Sequence, residues 1–429
     1  MRKFSNSLRI GAVGAASDLV ISIQQLSTLR LKLGQGLHHQ METAVEKSES
    51  RIAQLDGWRG VSILFVVVGH LVNQYYNDTH DTGHVDIIDG GFARVLSLWG
   101  VNIFFVISGF IITKLALREH DRNGCFSVRD FYTRRFFRII PPFFLYLGAV
   151  VVAGAFSLID QRYSDVLPAA AFVCNFPVME CGWFVGHSWT LAYEEQFYIT
   201  FPLLFALTGT YTRQAIPLLF AGLVAFPFIR FFLHMSEAWH DVANFAPAFS
   251  IICAGAVMAA CEEPIKRLAQ SRYAIYISCA AVLALGALLV FNADATIAVG
   301  SLSHNIRAAL NKTVMVGGIA WLVVSSVYQT NLLTRLLTAP PLLFLGMISY
   351  SLYLWQQLFT APYARYLSDG MPHLFPLMFV AATLSYYVVE RPSVRLGKRL
   401  LDRWARTAPR TPAAARDPRP ASIATVQDR

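Results

Sequence analysis

Charge is what this chain has least of. Asp and Glu number 27 and Lys and Arg 36, so charged side chains make up 15% of its 429 residues while 55% are hydrophobic. Mean hydropathy is +0.45, more apolar surface than a soluble core of this size can hide, which excludes an ordinary water-soluble enzyme and makes lipid the solvent. Cysteine is sparse too, at six. Cys125, Cys253, Cys261 and Cys279 fall in or beside apolar stretches without metal-ligand spacing, so they read as small hydrophobes and no metal site is expected. Cys174 and Cys181 share one candidate external loop, where a disulfide is one outcome and two free thiols the other. The net charge of +9 is spread over alternate loops and the C-terminal stretch rather than gathered on one module, so no nucleic-acid partner is expected. There is neither an internal repeat nor a soluble catalytic domain.

What the chain does have is long apolar runs. A bilayer needs about 20 apolar residues per helix, and candidates run over 58–76, 95–115, 139–159, 188–207, 215–233, 245–261, 274–291, 313–328, 342–359 and 374–389. The expected fold is therefore all-α, a polytopic membrane bundle of about ten transmembrane helices over residues 51–392. Residues 1–50 read as a cytoplasmic leader or amphipathic helix rather than a cleaved signal, because the run from Ile10 is broken by Ser17-Asp18. Residues 393–429 read as a basic, largely disordered cytoplasmic tail. The apolar piece 166–177 is too short to cross and reads as re-entrant or interfacial.

Lys and Arg stay on the cytoplasmic side of short loops. With the N-terminus inside, the internal segments receive Arg118 to Arg138, Arg213, Lys266 to Arg272, Arg335 and the stretch from Arg391. Both termini are then cytoplasmic and the protein sits in the inner membrane.

Ionisable groups at helix depth are costly and each becomes a functional candidate. Arg59 and His70 are eleven residues apart, about 16 Å and nearly three whole turns, so they share one face at different depths. An imidazole there can take a proton from an acceptor hydroxyl, or simply bond a neighbouring helix. Glu194 and Glu195 lie in the polar run from Trp189 to Tyr198, point about 100° apart, and Glu194 has Tyr198 one turn on. Either catalysis or substrate binding by Glu194, Glu195, Tyr198 and Trp189 fits that patch, with solvation at the interface as the plain alternative. In 131–142, Arg135 and Arg138 sit three apart on one face, a fork suited to a diphosphate, although retention charges are expected in such a loop anyway.

Six segments in order resemble the acyltransferase 3 family of multi-pass membrane enzymes that O-acylate surface polysaccharides and related acceptors. They are Leu55 to Gly60 leading to Gly69-His70, the stretch from Gly100 to Thr113, Phe131 to Pro142, Trp189 to Tyr198, Ile348 to Trp355, and Val389 to Pro392. The resemblance implies an acyl-CoA donor, most often acetyl-CoA, reached from the cytoplasm, with no permanently bound cofactor. It also implies a saccharide or glycolipid acceptor beside membrane lipid. On it, Arg59, Arg135 and Arg138 take the donor's phosphates, His70 is base or acyl relay, and Glu194 orients His70 or binds the acceptor. Two positions depart from the family, Asn102 where Asp is common and Gln356 after Trp355 where His is common, which throws weight onto His70. The fused hydrolase-like domain of some relatives is not expected after the last helix. A transporter or flippase of a lipid-linked saccharide is the alternative from another class, though no inverted repeat supports it.

Overall fold

In lipid an apolar run can satisfy its backbone only within itself, so the runs coil. The computed structural model describes residues 52–79, 92–176, 179, 181–208, 246–291, 302–361, 365–367 and 374–407. Its longer helices are α1 (Ala53–Thr79), α2 (Phe92–Asn123), α3 (Val128–Ala155), α4 (Trp189–Thr208), α5 (Ala246–Ala260), α6 (Glu262–Ala269), α7 (Ala274–Phe291), α8 (Leu302–Ser325), α9 (Pro340–Phe359), α10 (Leu377–Ser385) and α11 (Arg391–Thr407). No strand occurs among the described residues, and an isolated antiparallel bridge joins Ile159 to Tyr366. The all-α expectation holds.

Ten spans are not confirmed among the described residues. Among the described residues five stretches are long and apolar enough to cross a bilayer: Ala53–Val72, Val95–Asn123, Val128–Ala155, Leu310–Tyr328 and Pro340–Phe359. The pair α5 and α6, bent by 81°, makes a sixth if the two form one span. The other expected runs differ for physical reasons. α4 carries Glu194, Glu195 and Gln196 in its first half. The apolar helix counted within α7, Ala274–Leu288, is shorter than a span. Run 374–389 leaves α-geometry after Ser385 for a π-helical turn, Tyr386–Glu390. Run 215–233 and the leader 1–50 lie outside the described residues.

α11 reaches into the expected tail. It continues through the boundary at residue 392 as far as Thr407, so the basic stretch is helical over that part; residues 408–429 lie outside the described set. Its docking explains why. Gly397 is buried so closely against Phe137 of α3 that a Cβ there would stand 2.9 Å from that ring, and the Arg129 guanidinium lies 4.8 Å over the ring of Trp404.

α1 is the axis of the bundle, packed on α2 and α9, while α2 packs on α5. Small residues set these distances, as helices in lipid require. Gly109 faces the Ile252 carbonyl and Gly255 the Val106 carbonyl, reciprocal contacts that leave no room for a Cβ. Polar bonds then fix the register: Trp58 Nε1 donates to Ser326 Oγ at 3.0 Å, Ser62 Oγ donates to the Gly100 carbonyl, and Tyr350 OH donates to the Ile139 carbonyl at 2.8 Å. Leu145, Val152 and Leu283 face outward, exposed, as a lipid-facing surface demands. Cys174 and Cys181 are joined in a disulfide, and the 163–170 segment is a short 3-10 turn followed by the five-residue helix Val166–Ala170. Gln196 exchanges hydrogen bonds with Asn175 at 2.9 and 3.0 Å, tying that loop to α4.

Candidate active site

Ser127 caps α3 by accepting from the Asp130 amide at 3.2 Å, which starts the helix that carries Arg135 and Arg138. Arg135 and Arg138 of α3 and Arg59 of α1 converge on a cavity of about 800 Å³ at the α11 end of the bundle, a size suited to a cofactor-like ligand. Nine cationic side chains line this vestibule against five acidic ones. Such an excess concentrates anions. The same three arginines also line a second, smaller chamber of about 80 Å³, together with Ser108, Thr190, Glu194, Tyr198, Tyr350 and Tyr353 among others. They therefore stand at a neck between the two spaces.

Each neck charge has local partners. Arg59 Nη1 is 3.2 Å from Asp56 Oδ1, one turn back. The Arg135 guanidinium stacks 4.9 Å from the Tyr198 ring centroid and 5.8 Å from that of Phe131. Glu194 accepts from Ser108 Oγ at 2.6 Å and from Tyr198 OH at 3.2 Å. The i to i+4 relation between Glu194 and Tyr198 is the one their spacing predicts. Opposing charge comes also from Glu390, 4% exposed, whose carboxylate accepts from Ser351 Oγ at 2.7 Å and acts electrostatically on Arg138 and Arg59. The π-helical turn Tyr386–Glu390 carries this carboxylate, a helix irregularity of the kind often found at functional sites.

The other expected residues are not in the two cavities. His70 is half-buried, lines neither space and makes no hydrogen bond among the described residues. The hydrogen bonds to Glu194 come from Ser108 and Tyr198, not from His70. Trp189 packs edge-on against Phe105 and Tyr193. Glu195 turns away from the chamber, its Oε1 buried without a partner among the described residues. Asn102 bonds Met315 Sδ at 3.4 Å, and Gln356 donates to Gln357 Oε1 at 3.2 Å and accepts from Thr360 Oγ1 at 3.0 Å, so both departures from the family pattern have local partners here.

Three groups escaped sequence reasoning. Glu390 was visible only as part of a motif. Lys114, 5% exposed, pairs with Glu262 and with Tyr328 OH at 3.1 Å on the vestibule wall; one cation inside an apolar run carried no spacing signal. His187, 5% exposed, stands two residues before Trp189, and neither ring nitrogen has a hydrogen-bond partner among the described residues. Its ring lies 5.3 Å from those of Tyr146 and Tyr353, and it is close enough to His70 for charge on one to oppose charge on the other. Tyr353 OH donates to the His187 carbonyl at 2.9 Å and its side chain lines the small chamber, so Tyr353 joins that chamber to the His187 segment.

No group of His, Cys, Asp and Glu able to hold a metal occurs among the described residues.

The acyltransferase 3 family, described as an acyltransferase domain, matches residues 52–391. The O-acetyltransferase OatA of Staphylococcus aureus (strain NCTC 8325 / PS 47) is 27% identical over 381 residues, 80% of this chain and 57% of that protein. A provisionally named O-acetyltransferase of Staphylococcus aureus (strain COL) is 26% identical over 379 residues, 82% of this chain and 58% of its own length. The chain thus spans little more than half the length of the curated relatives it matches. No solved structure matches it.

Proposed function

The chain belongs to the acyltransferase 3 family, and from that premise we propose that it moves an acetyl group from cytoplasmic acetyl-CoA to a hydroxyl of an envelope saccharide. The observation that carries this reading is the neck, where three arginines face both a basic vestibule and a chamber holding Glu194. Phosphates of the donor would meet Arg59, Arg135 and Arg138, because planar guanidinium forks suit phosphate oxygens. From Arg59 the α1 axis rises about 16 Å to His70, a distance that the donor's uncharged arm would cover. His70 lines neither cavity, but the arm's reach would bring the thioester beside it, where the acceptor oxygen attacks the carbonyl, the carbon–oxygen bond forms and the carbon–sulfur bond breaks. His70 takes the hydroxyl proton and returns it to the departing thiolate. Glu194 and Tyr198, which line the chamber, would position the acceptor there, whereas Glu195 and Trp189 line neither cavity. The vestibule end is read as cytoplasmic because Arg118 to Arg138 cluster there.

Membranes containing the full chain, given labelled acetyl-CoA, test the proposal. Label should pass to saccharide, and His70→Ala should stop it while leaving the protein inserted. An unlabelled saccharide fraction with the native chain, or parental transfer by His70→Ala, would contradict the assignment.

A further inference from the structure

One wall of the vestibule is α11, and two of its cations there form no ion pair among the described residues. Arg391, Val394, Arg395, Lys398, Leu401 and Asp402 line the cavity at intervals of three and four, one face of a helix with three cations against one carboxylate. Arg395 and Lys398 are exposed and form no ion pair with the described residues. They lie beyond residue 391, where the family match ends, and nothing in the transfer step uses them.

Resting on the acyl-CoA reading above, we propose that Arg395 and Lys398 bind the 3′-phosphate at the nucleotide end of coenzyme A. The argument is one of order along the cavity. Arg59, Arg135 and Arg138 line both spaces and so stand at the neck, whereas Arg395 and Lys398 line the vestibule alone. Coenzyme A carries its charge in two places: a diphosphate adjoining the uncharged arm, and a phosphate monoester on the ribose farther from it. A donor that runs its arm inward past the neck leaves the diphosphate at the three arginines and the monoester at the mouth. A monoester carries about −1.5 to −2 charges near neutrality, which two unpaired cations one turn apart can match. An anionic lipid headgroup offers the same phosphate chemistry, but Arg395 and Lys398 line a cavity continuous with the neck, which favours the nucleotide. Packing of Gly397 against Phe137 holds this face at the cavity.

The full chain in nanodiscs would be titrated with coenzyme A and with 3′-dephospho-coenzyme A. The native protein should bind the former about tenfold or more tightly, the effect of one or two charge-assisted contacts. The pair Arg395→Gln and Lys398→Gln should erase that preference, weakening coenzyme A to the dephospho level and leaving the dephospho affinity unchanged. Arg403→Gln, on the same helix but off the cavity wall, should change neither. Equal native affinities for the two ligands would overturn the inference while leaving the donor reading intact. Failure of the native protein to bind either would overturn both. If the double variant leaves coenzyme A affinity unchanged but lowers binding to vesicles rich in phosphatidylglycerol, the face is a lipid site and the inference is wrong.

Discussion

Glu194 accepts a hydrogen bond from Ser108 Oγ at 2.6 Å, joining the polar patch of α4 to the Gly100–Thr113 run of α2 across 86 residues of sequence. That bond and the one from Tyr198 fix the carboxylate in the small chamber. Glu194→Gln keeps the shape and one acceptor but removes the charge. If the carboxylate acts on the acceptor, transfer should fall by about 10² or more, the usual worth of a positioned acid or base. Ser108→Ala, removing one bond to a charged group worth about 1.5–3 kcal/mol, should cost roughly tenfold to a hundredfold. Initial rates of label transfer check both. A Gln variant of near-native rate would make Glu194 a purely structural group.

Arg135 lies over the Tyr198 ring at 4.9 Å, a stacking that depends on a flat cation. Arg135→Lys retains the charge but loses the plane and the fork. The expected result is a KM for acetyl-CoA raised roughly tenfold, about 1.4 kcal/mol, with kcat little changed. Saturation curves on the two proteins decide it, and an unchanged KM would remove Arg135 from the donor site.

Much of the neck was legible before folding, because its signals are local. Arg135 and Arg138 three apart, and Glu194 four before Tyr198, share faces by helical geometry alone. The convergence of Glu390 from the far end of the chain is not local, and depends on a π-helical turn that no periodicity announces. The count of ten spans goes unconfirmed for a related reason. Apolar composition registers α5 and α7, but neither the 81° bend after Ala260 nor the shortness of the apolar part of α7 can be read from composition. His187 escaped because a single imidazole in a short connection has no period at all.

His187 keeps two unpartnered nitrogens in a site where an orphaned polar group costs about 1–3 kcal/mol. A residue retained only for packing would be better replaced by an apolar ring. His187→Phe should therefore raise the thermal midpoint of the purified protein and, if the imidazole serves the chemistry beside His70, lower the rate of transfer. Thermal unfolding and initial rates, measured on the same preparation, check the pair of outcomes. A variant both more stable and fully active would assign His187 to packing alone.

Lys114 and Glu262 hold the bent pair α5 and α6 against α2, and the two partners are unequally buried. The Lys114 side chain is 5% exposed and that of Glu262 18%. Removing one member of a buried pair strands the other, at about 3–5 kcal/mol when burial is complete. Glu262→Gln strands the deeper charge, left with Tyr328 OH at 3.1 Å and the faces of Phe110 and Tyr328 at 5.2 and 5.4 Å. Lys114→Met strands the shallower one, which still accepts from Tyr328 OH at 2.9 Å and keeps some water. Glu262→Gln should therefore destabilise more than Lys114→Met. The double variant should destabilise less than the two losses added together, because neither stranded charge remains, with a coupling of about 1–3 kcal/mol. Thermal unfolding of the four proteins in one detergent gives the cycle. Additive losses would mean that the pair is solvated and that the bend is held by helix packing instead.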